Sequence, residues 1–198
     1  MILIMTSDKK IIYFITTNVH KFNEIFDMFK RKDLKYSLKQ NKSETTEIQA
    51  DFLKDVALFK LRSVKHKIKS SFFVEDSGFF IDVPLNGFPG VFSSYVLNTI
   101  GNKGILKLID DFNTSRAHFS TEVALYFKPF NKILFFSGNV AGKISKTIRG
   151  KGGFGFDPIF IPDLFPNKTF AELSTSEKNS ISHRGQATNK LLRFLESN

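Results

Sequence analysis

The sequence predicts an α/β fold around a mixed β-sheet. Two observations carry that reading. Strand-like and helix-like segments alternate through the first half of the chain, and two strand-like runs joined by a short turn follow in the second half as an antiparallel pair.

The first strand is Ile11-Ile12-Tyr13-Phe14-Ile15, and an amphipathic run to Phe29 follows it with Thr17 or Asn18 placed to cap the helix. Lys30 to Gln49 is charged and polar; its weak strand, Lys35 to Leu38, reads as an edge. Between Asp51 and Ile68, Phe52, Val56, Phe59 and Val64 recur near helical spacing. Ser71-Phe72-Phe73-Val74 is a short apolar run typical of a buried strand, and Gly78 marks a turn at its end. Ser93 to Phe112 is helical with an interruption at Gly101–Gly104. His118–Phe127 and Lys132–Val140 form a hairpin around Lys128-Pro129-Phe130-Asn131. A glycine-rich basic loop, Arg149 to Gly153, then leads into an apolar strand broken by Asp157-Pro158, and a helix closes the chain. Gly138-Asn139-Val140-Ala141-Gly142-Lys143-Ile144-Ser145 imitates a P-loop but lacks a spacer residue and has Ile144 where a hydroxyl should follow the lysine, so it reads as strand and turn.

The 198 residues suffice for one domain, 1–198, or for two closely packed lobes. There are 24 Phe and no Cys, which excludes disulfides and thiolate metal sites and suits a cytoplasmic protein. The opening Met1-Ile2-Leu3-Ile4-Met5 puts its apolar run before its charge, unlike a signal peptide, and no apolar stretch reaches the roughly 18 residues of a membrane span. The net charge of +10 suits a polyanionic partner, either a nucleic acid or a small triphosphate.

Glu75-Asp76-Ser77-Gly78 is the most informative segment. Adjacent carboxylates at the mouth of a strand suit a Mg²⁺ ion bridging to phosphates; an acidic turn capped by Ser77 would look the same in isolation. At the start of the first helix, free backbone N–H groups suit a phosphate, and Lys21 in that first turn opposes the helix dipole unless an anion binds nearby. Gly153 and Gly155 let the backbone approach a ligand closely, while Phe154 and Phe156 offer faces for stacking a base.

Taken in order, these segments resemble the inosine triphosphate pyrophosphatase family, the non-canonical purine nucleoside triphosphatases. The family's opening T/S-x-N-x-x-K is matched by Thr16-Thr17-Asn18-Val19-His20-Lys21, and its E/D-D-S/T-G by Glu75-Asp76-Ser77-Gly78. Pro89-Gly90 follows, then the Gly153–Phe160 block with Phe156 at the Tyr or Trp position, then Glu177-Lys178-Asn179 and Ser182-His183-Arg184. The resemblance runs from about Ile11 to Phe194. It implies a long mixed sheet flanked by helices, in two lobes with the active site in the cleft, and commonly a homodimer. It implies Mg²⁺, with Mn²⁺ as a substitute, and a purine nucleoside triphosphate substrate cleaved between the α and β phosphorus atoms. Asp76 is then the catalytic carboxylate, with Glu47 and Glu75 as further metal ligands. Thr16 to Lys21, Lys60 and Ser77 would meet the triphosphate. Phe154 would stack on the base, Gly155, Phe156, Asp157, Lys178, His183 and Arg184 would complete its pocket, and Tyr95 stands where relatives carry a pocket aromatic. No specific nucleic-acid binding is expected. A related pyrophosphatase of different base preference and a basic nucleic-acid-binding module remain the rival readings.

Overall fold

The computed structural model describes residues 9–112 and 114–198; the apolar opening Met1–Met5 lies outside them. Seven strands form a single sheet: β1 (Lys10–Ile15), β2 (Tyr36–Asn41), β3 (Phe72–Val83), β4 (Phe88–Gly90), β5 (Arg116–Phe127), β6 (Lys132–Ile144) and β7 (Phe160–Pro162). Six helices accompany them: α1 (Val19–Lys30), α2 (Leu53–Lys65), α3 (Ser93–Thr99), α4 (Gly101–Leu108), α5 (Thr175–Ile181) and α6 (His183–Glu196). The strand order is β2-β1-β3-β5-β6-β7, with β4 pairing β3. β1 is parallel to β2 and β3, and the remaining pairs are antiparallel, so the expected mixed sheet is present.

β3 corrects the reading of its sequence. Gly78 ends no strand; β3 runs on for twelve residues, and Glu75-Asp76-Ser77-Gly78 lies in its middle. What changes there is the neighbour. β1 pairs with Phe72 and Phe73, β4 pairs with Phe79 to Ile81, and residues 74–78 have no strand on that edge. The sheet is therefore split on one side of β3 while β5 stays paired along its length. Gly78 is required where β4 comes in: a Cβ would lie 2.6 Å from Gly90 O and 2.8 Å from the Phe80 ring.

Side chains alternate across the strands, and this places two cores on one face of β3 and β5. Phe73, Val123, Leu125 and Phe127 join α1 and α6 in one core. Phe79, Ile81, Ala117 and Phe119 join Val96 of α3, Ile105 of α4 and the Phe156–Leu173 segment in the other. Between them, on that same face, stand Glu75, Ser77 and Thr121. On the opposite face Phe72 and Val74 pack with Ala57, Leu61 and Val64 of α2. Phe14, Phe72 and Phe73 are among the largest fully buried side chains.

The break in the second helical region falls at Ile100–Gly101, where Gly101 takes φ +62°, and not at Gly104. Gly104 sits inside α4 because a Cβ there would lie 2.4 Å from Ile100 Cβ. The P-loop imitation is strand up to Ile144, as its sequence implied.

Candidate active site

Three structural junctions meet at the gap in the sheet. The chain leaves β1 at Ile15 and enters α1, where Asn18 is the N-cap: its Oδ1 accepts from Lys21 N at 3.1 Å, and Thr16 Oγ1 accepts from Asn18 N at 3.1 Å. This cap holds Lys21 at the open edge of β3. Its Nζ forms an ion pair with Glu75 Oε2 at 2.7 Å.

Glu75 and Asp76 point to opposite faces of β3. Glu75 is buried; its Oε1 accepts from Thr121 Oγ1 at 3.2 Å and from Arg184 Nε at 3.1 Å. Burial alone would raise its pKa, but Arg184 and then Lys21 outweigh that and hold it well below the ordinary carboxylate range. Asp76 faces α2, 3.6 Å from Lys60 Nζ, which is itself 2.6 Å from Glu47. Burial raises the Asp76 pKa, Lys60 and Lys21 oppose it, and repulsion from Glu75 adds to it, so the net shift is upward. Adjacent carboxylates thus differ: the pKa of one is pushed down and that of the other up.

Glu47 and Asp76 share one ammonium, so both face a common cationic point. Their hard oxygen donors suit a divalent ion of the Mg²⁺ type at that point. Among the described residues no group of three or more His, Cys, Asp or Glu side chains stands at metal-binding spacing; Lys60 pairs with Glu47 and Asp76, and Lys21 with Glu75.

The third junction is the start of α6. Ser182 caps it by accepting from Gly185 N at 3.0 Å, and His183 and Arg184 fill its first turn. Arg184 is pinned: NH1 donates to Glu24 at 2.7 Å, NH2 to Ser77 Oγ at 3.1 Å, and Nε to Glu75. This spends part of its guanidinium on the protein and leaves part of the fork free. Burial would lower its pKa, yet Glu75 and Glu24 raise it further above its ordinary value. His183 is stacked on Phe119, 4.7 Å between centroids, and burial, Arg184 and Lys178 push its pKa well down, so the imidazole is neutral. Lys178, on α5, bridges Glu24 at 2.7 Å and Asp157 at 2.6 Å.

Thr16, Thr17, Asn18, Lys21, Glu47, Lys60, Glu75, Asp76, Ser77, Phe154 to Asp157, His183 and Arg184 all line one cavity of about 570 Å³. The structure treats the other expected residues differently. Tyr95 is 71% exposed and lies outside the cavity, because on α3 it is Ser93, Ser94 and Leu97 that face inward. Val19 is exposed, and Lys178 stands behind the wall on its two carboxylates. His20 reaches the rim, its ring stacked on Phe154 at 5.3 Å. Phe156 offers no free face for a base: it is buried and stacked on Phe79 at 5.0 Å, leaving Phe154 as the aromatic at the mouth.

Two contributors escaped the sequence reading. Glu24 joins Lys178 to Arg184; it lies three residues after Lys21 on α1, so helical spacing alone would have put it on the same face. Thr121 is in mid-strand on β5 and carries no local signal.

Fold and cleft together define an α/β protein with an anion-handling site set in a split sheet between two cores. The family model described as Ham1 family matches residues 12–194, and the chain belongs to that family. A dITP/XTP pyrophosphatase of Thermococcus kodakarensis is 43% identical over 185 residues, covering 93% of this chain and 97% of its own length. The protein of the same name from Pyrococcus horikoshii is 44% identical over 187 residues, with 94% and 97% covered. Among solved structures, a HAM1 protein from Coxiella burnetii is similar at a TM-score of 0.82 and 29% identity, covering 96% of this chain and 100% of that one. The Staphylococcus aureus Ham1 protein gives 0.78 and 28%, with 95% and 99% covered.

Proposed function

We propose that this chain hydrolyses non-canonical purine nucleoside triphosphates, those of inosine, deoxyinosine and xanthosine, to the nucleoside monophosphate and pyrophosphate. The observation that carries this is the joining in one cavity of a proton-accepting carboxylate, Asp76, two lysines, a capped helix start and the Phe154 loop. The names of the similar Thermococcus and Pyrococcus proteins agree with it.

In this reading the triphosphate lies between α1 and β3, with Lys21 and Lys60 neutralising its oxygens and Asn18 and Ser77 beside them. Asp76 takes the proton of the attacking water; its raised pKa suits a general base. Glu47 and Asp76, with Glu75 behind them, would hold a Mg²⁺ ion, for which Mn²⁺ would substitute. When bound, the ion supplies charge neutralisation at the phosphate oxygens. The base enters beside Phe154, and neutral His183 and the free part of Arg184 read its polar edge, with Asp157 and Lys178 bracing the wall. A 6-oxo purine accepts from such donors; a 6-amino group meets donor with donor, so adenosine triphosphate is a poor substrate.

The chain works in the cytoplasm, where it cleanses the nucleotide pool, and pairs with a second copy. Val83, Phe88, Phe92 and Tyr95 are exposed apolar side chains around β4 and α3, a surface that a partner would cover. No helix among the described residues is long and apolar enough to cross a membrane. The test is pyrophosphate release with Mg²⁺ from a panel of purine and pyrimidine triphosphates. Inosine and xanthosine triphosphates should lead; equal rates across the panel, or none, would remove the assignment.

A further inference from the structure

We propose that Asn102, in the first turn of α4, is a positioning residue that sets the base-reading loop and through it the discrimination among purines. The inference rests on the function proposed above and concerns a residue outside the cavity wall.

The loop Gly153–Asp157 packs Phe156 into the second core and lines the cavity. Its far end is tied by Asp157, whose Oδ2 accepts from Phe154 N at 2.7 Å and from Lys178. Its near end is tied by Gly152 N, which donates to Ala171 O at 3.0 Å. Between these ties the chain bends through Gly153 and Gly155, at φ +67° and +68°. There the carbonyl of Gly155 accepts from Asn102 Nδ2 at 3.0 Å, a bond across 53 residues of sequence. Leu97 of α3 touches the same point, 3.9 Å from where a Gly155 Cβ would stand. Two left-handed glycines leave this backbone free to adopt other conformations, so the side-chain bond selects one.

The asparagine is built for that bond. Its Oδ1 is buried with no hydrogen-bond partner, which costs stability that a leucine of like size would not incur. What the amide contributes is therefore the N–H given to Gly155. Gly101, at φ +62°, starts the helix turn that carries Asn102.

Phe154 precedes Gly155 by one residue and Asp157 follows it by two, so a shift at the carbonyl moves both the aromatic at the mouth and the carboxylate that braces the wall. The phosphate contacts sit on α1, α2 and β3; among the described residues these make no direct hydrogen bond with the loop, and α1 reaches it through the Glu24–Lys178–Asp157 bridge and the His20–Phe154 stack, neither of which involves the Gly155 carbonyl. Releasing the anchor should thus loosen base recognition and spare phosphate binding.

The experiment compares wild type with Asn102→Asp, which keeps the shape and replaces the donor by an acceptor, and with Asn102→Ala, which removes the group. Calorimetry measures binding of inosine monophosphate and of inorganic triphosphate; kinetics measures kcat and KM with inosine and guanosine triphosphates; melting curves monitor the fold. Expected is a weakening of inosine monophosphate binding by roughly 3–10-fold, the scale of one hydrogen bond. The inosine triphosphate KM should rise in step while kcat holds within about threefold, inorganic triphosphate binding should be unchanged, and the inosine-to-guanosine ratio of kcat/KM should narrow. Asn102→Gln, which keeps an amide donor, should recover part of the loss. Folded variants with wild-type affinity and ratio overturn the proposal, as does a parallel loss of both ligands, which would mark a general folding role. If wild type releases no pyrophosphate from any triphosphate, this inference falls together with the function beneath it, whereas an active wild type with indifferent variants removes the inference alone.

Discussion

Glu75 and Asp76 are covalent neighbours whose pKa values are pushed in opposite directions, because the alternation of a strand sets them among different charges. Arg184 and Lys21 keep Glu75 ionised, while burial raises Asp76 against the pull of Lys60. Asp76→Asn should lower kcat by roughly 10²–10⁴, the scale of a lost general base. The protein should stay folded, and the linkage sign says why. A folded-state pKa above the unfolded value means that the neutral form favours folding below the unfolded pKa, a contribution lost as pH rises through the folded pKa. At neutral pH ionised Asp76 is therefore a cost, and the neutral amide avoids it. In the metal-free protein the same shift puts the titration of Asp76 above 3.8, the ordinary value for an aspartate; a carboxyl titration of the metal-free protein that finds Asp76 at or below it would overturn the upward shift. Lys21→Ala should weaken every triphosphate about equally, by roughly 1.5–3 kcal/mol for a charge-assisted contact. Glu75 remains compensated by Arg184, so the fold should tolerate the change. A severalfold change in the inosine-to-guanosine ratio in that variant would show that Lys21 reads the base.

At the scale of elements, the site exists because β3 outlasts β1. β1 accompanies β3 as far as Phe73, β4 takes over at Phe79, and the unpaired edge between them is the floor of the cleft. Gly78 is what lets β4 close in, and Gly78→Ala should cost about 1–3 kcal/mol of overpacking. For a chain of this size that is a fall in Tm of roughly 2–12 °C; an unchanged melting curve would mean that β4 yields without strain. Most of these elements are readable from local pattern. The first βαβ unit, the β5–β6 hairpin and the caps at Asn18 and Ser182 follow from periodicity and from polar side chains at helix starts. The length of β3 is not readable, because Glu75-Asp76-Ser77-Gly78 has the composition of a turn. A strand there survives only because β5 pairs along its whole length and Arg184, Lys21 and Lys60 neutralise its acids. The exposure of Tyr95 and the burial of the Phe156 ring were not readable for a related reason: which face of α3 turns inward, and which of two loop aromatics is swallowed by the core, depends on Phe79 and Leu97, distant in sequence.

For the whole molecule, the pairing proposed above predicts by sedimentation a mass twice the 22.6 kDa of one chain, with Val83, Phe88, Phe92 and Tyr95 covered. Charged substitution at Phe88 and Phe92 should shift that mass toward the monomer; a monomer in wild type would remove the pairing. The amino-acid order by itself determined the class of fold, through alternating periodicities, and the chemical groups of the site, through short motifs whose spacing survives any arrangement of the rest. Tertiary structure alone decided which groups meet. Glu24 joins Arg184 across 160 residues, Glu75 joins Thr121 across 46, and Asn102 joins Gly155 across 53. The physical reason is that local pattern is written by neighbours along the chain, whereas ionisation state, cavity shape and loop position are set by burial and Coulombic contact, and those depend on how the two cores close around the gap in β3.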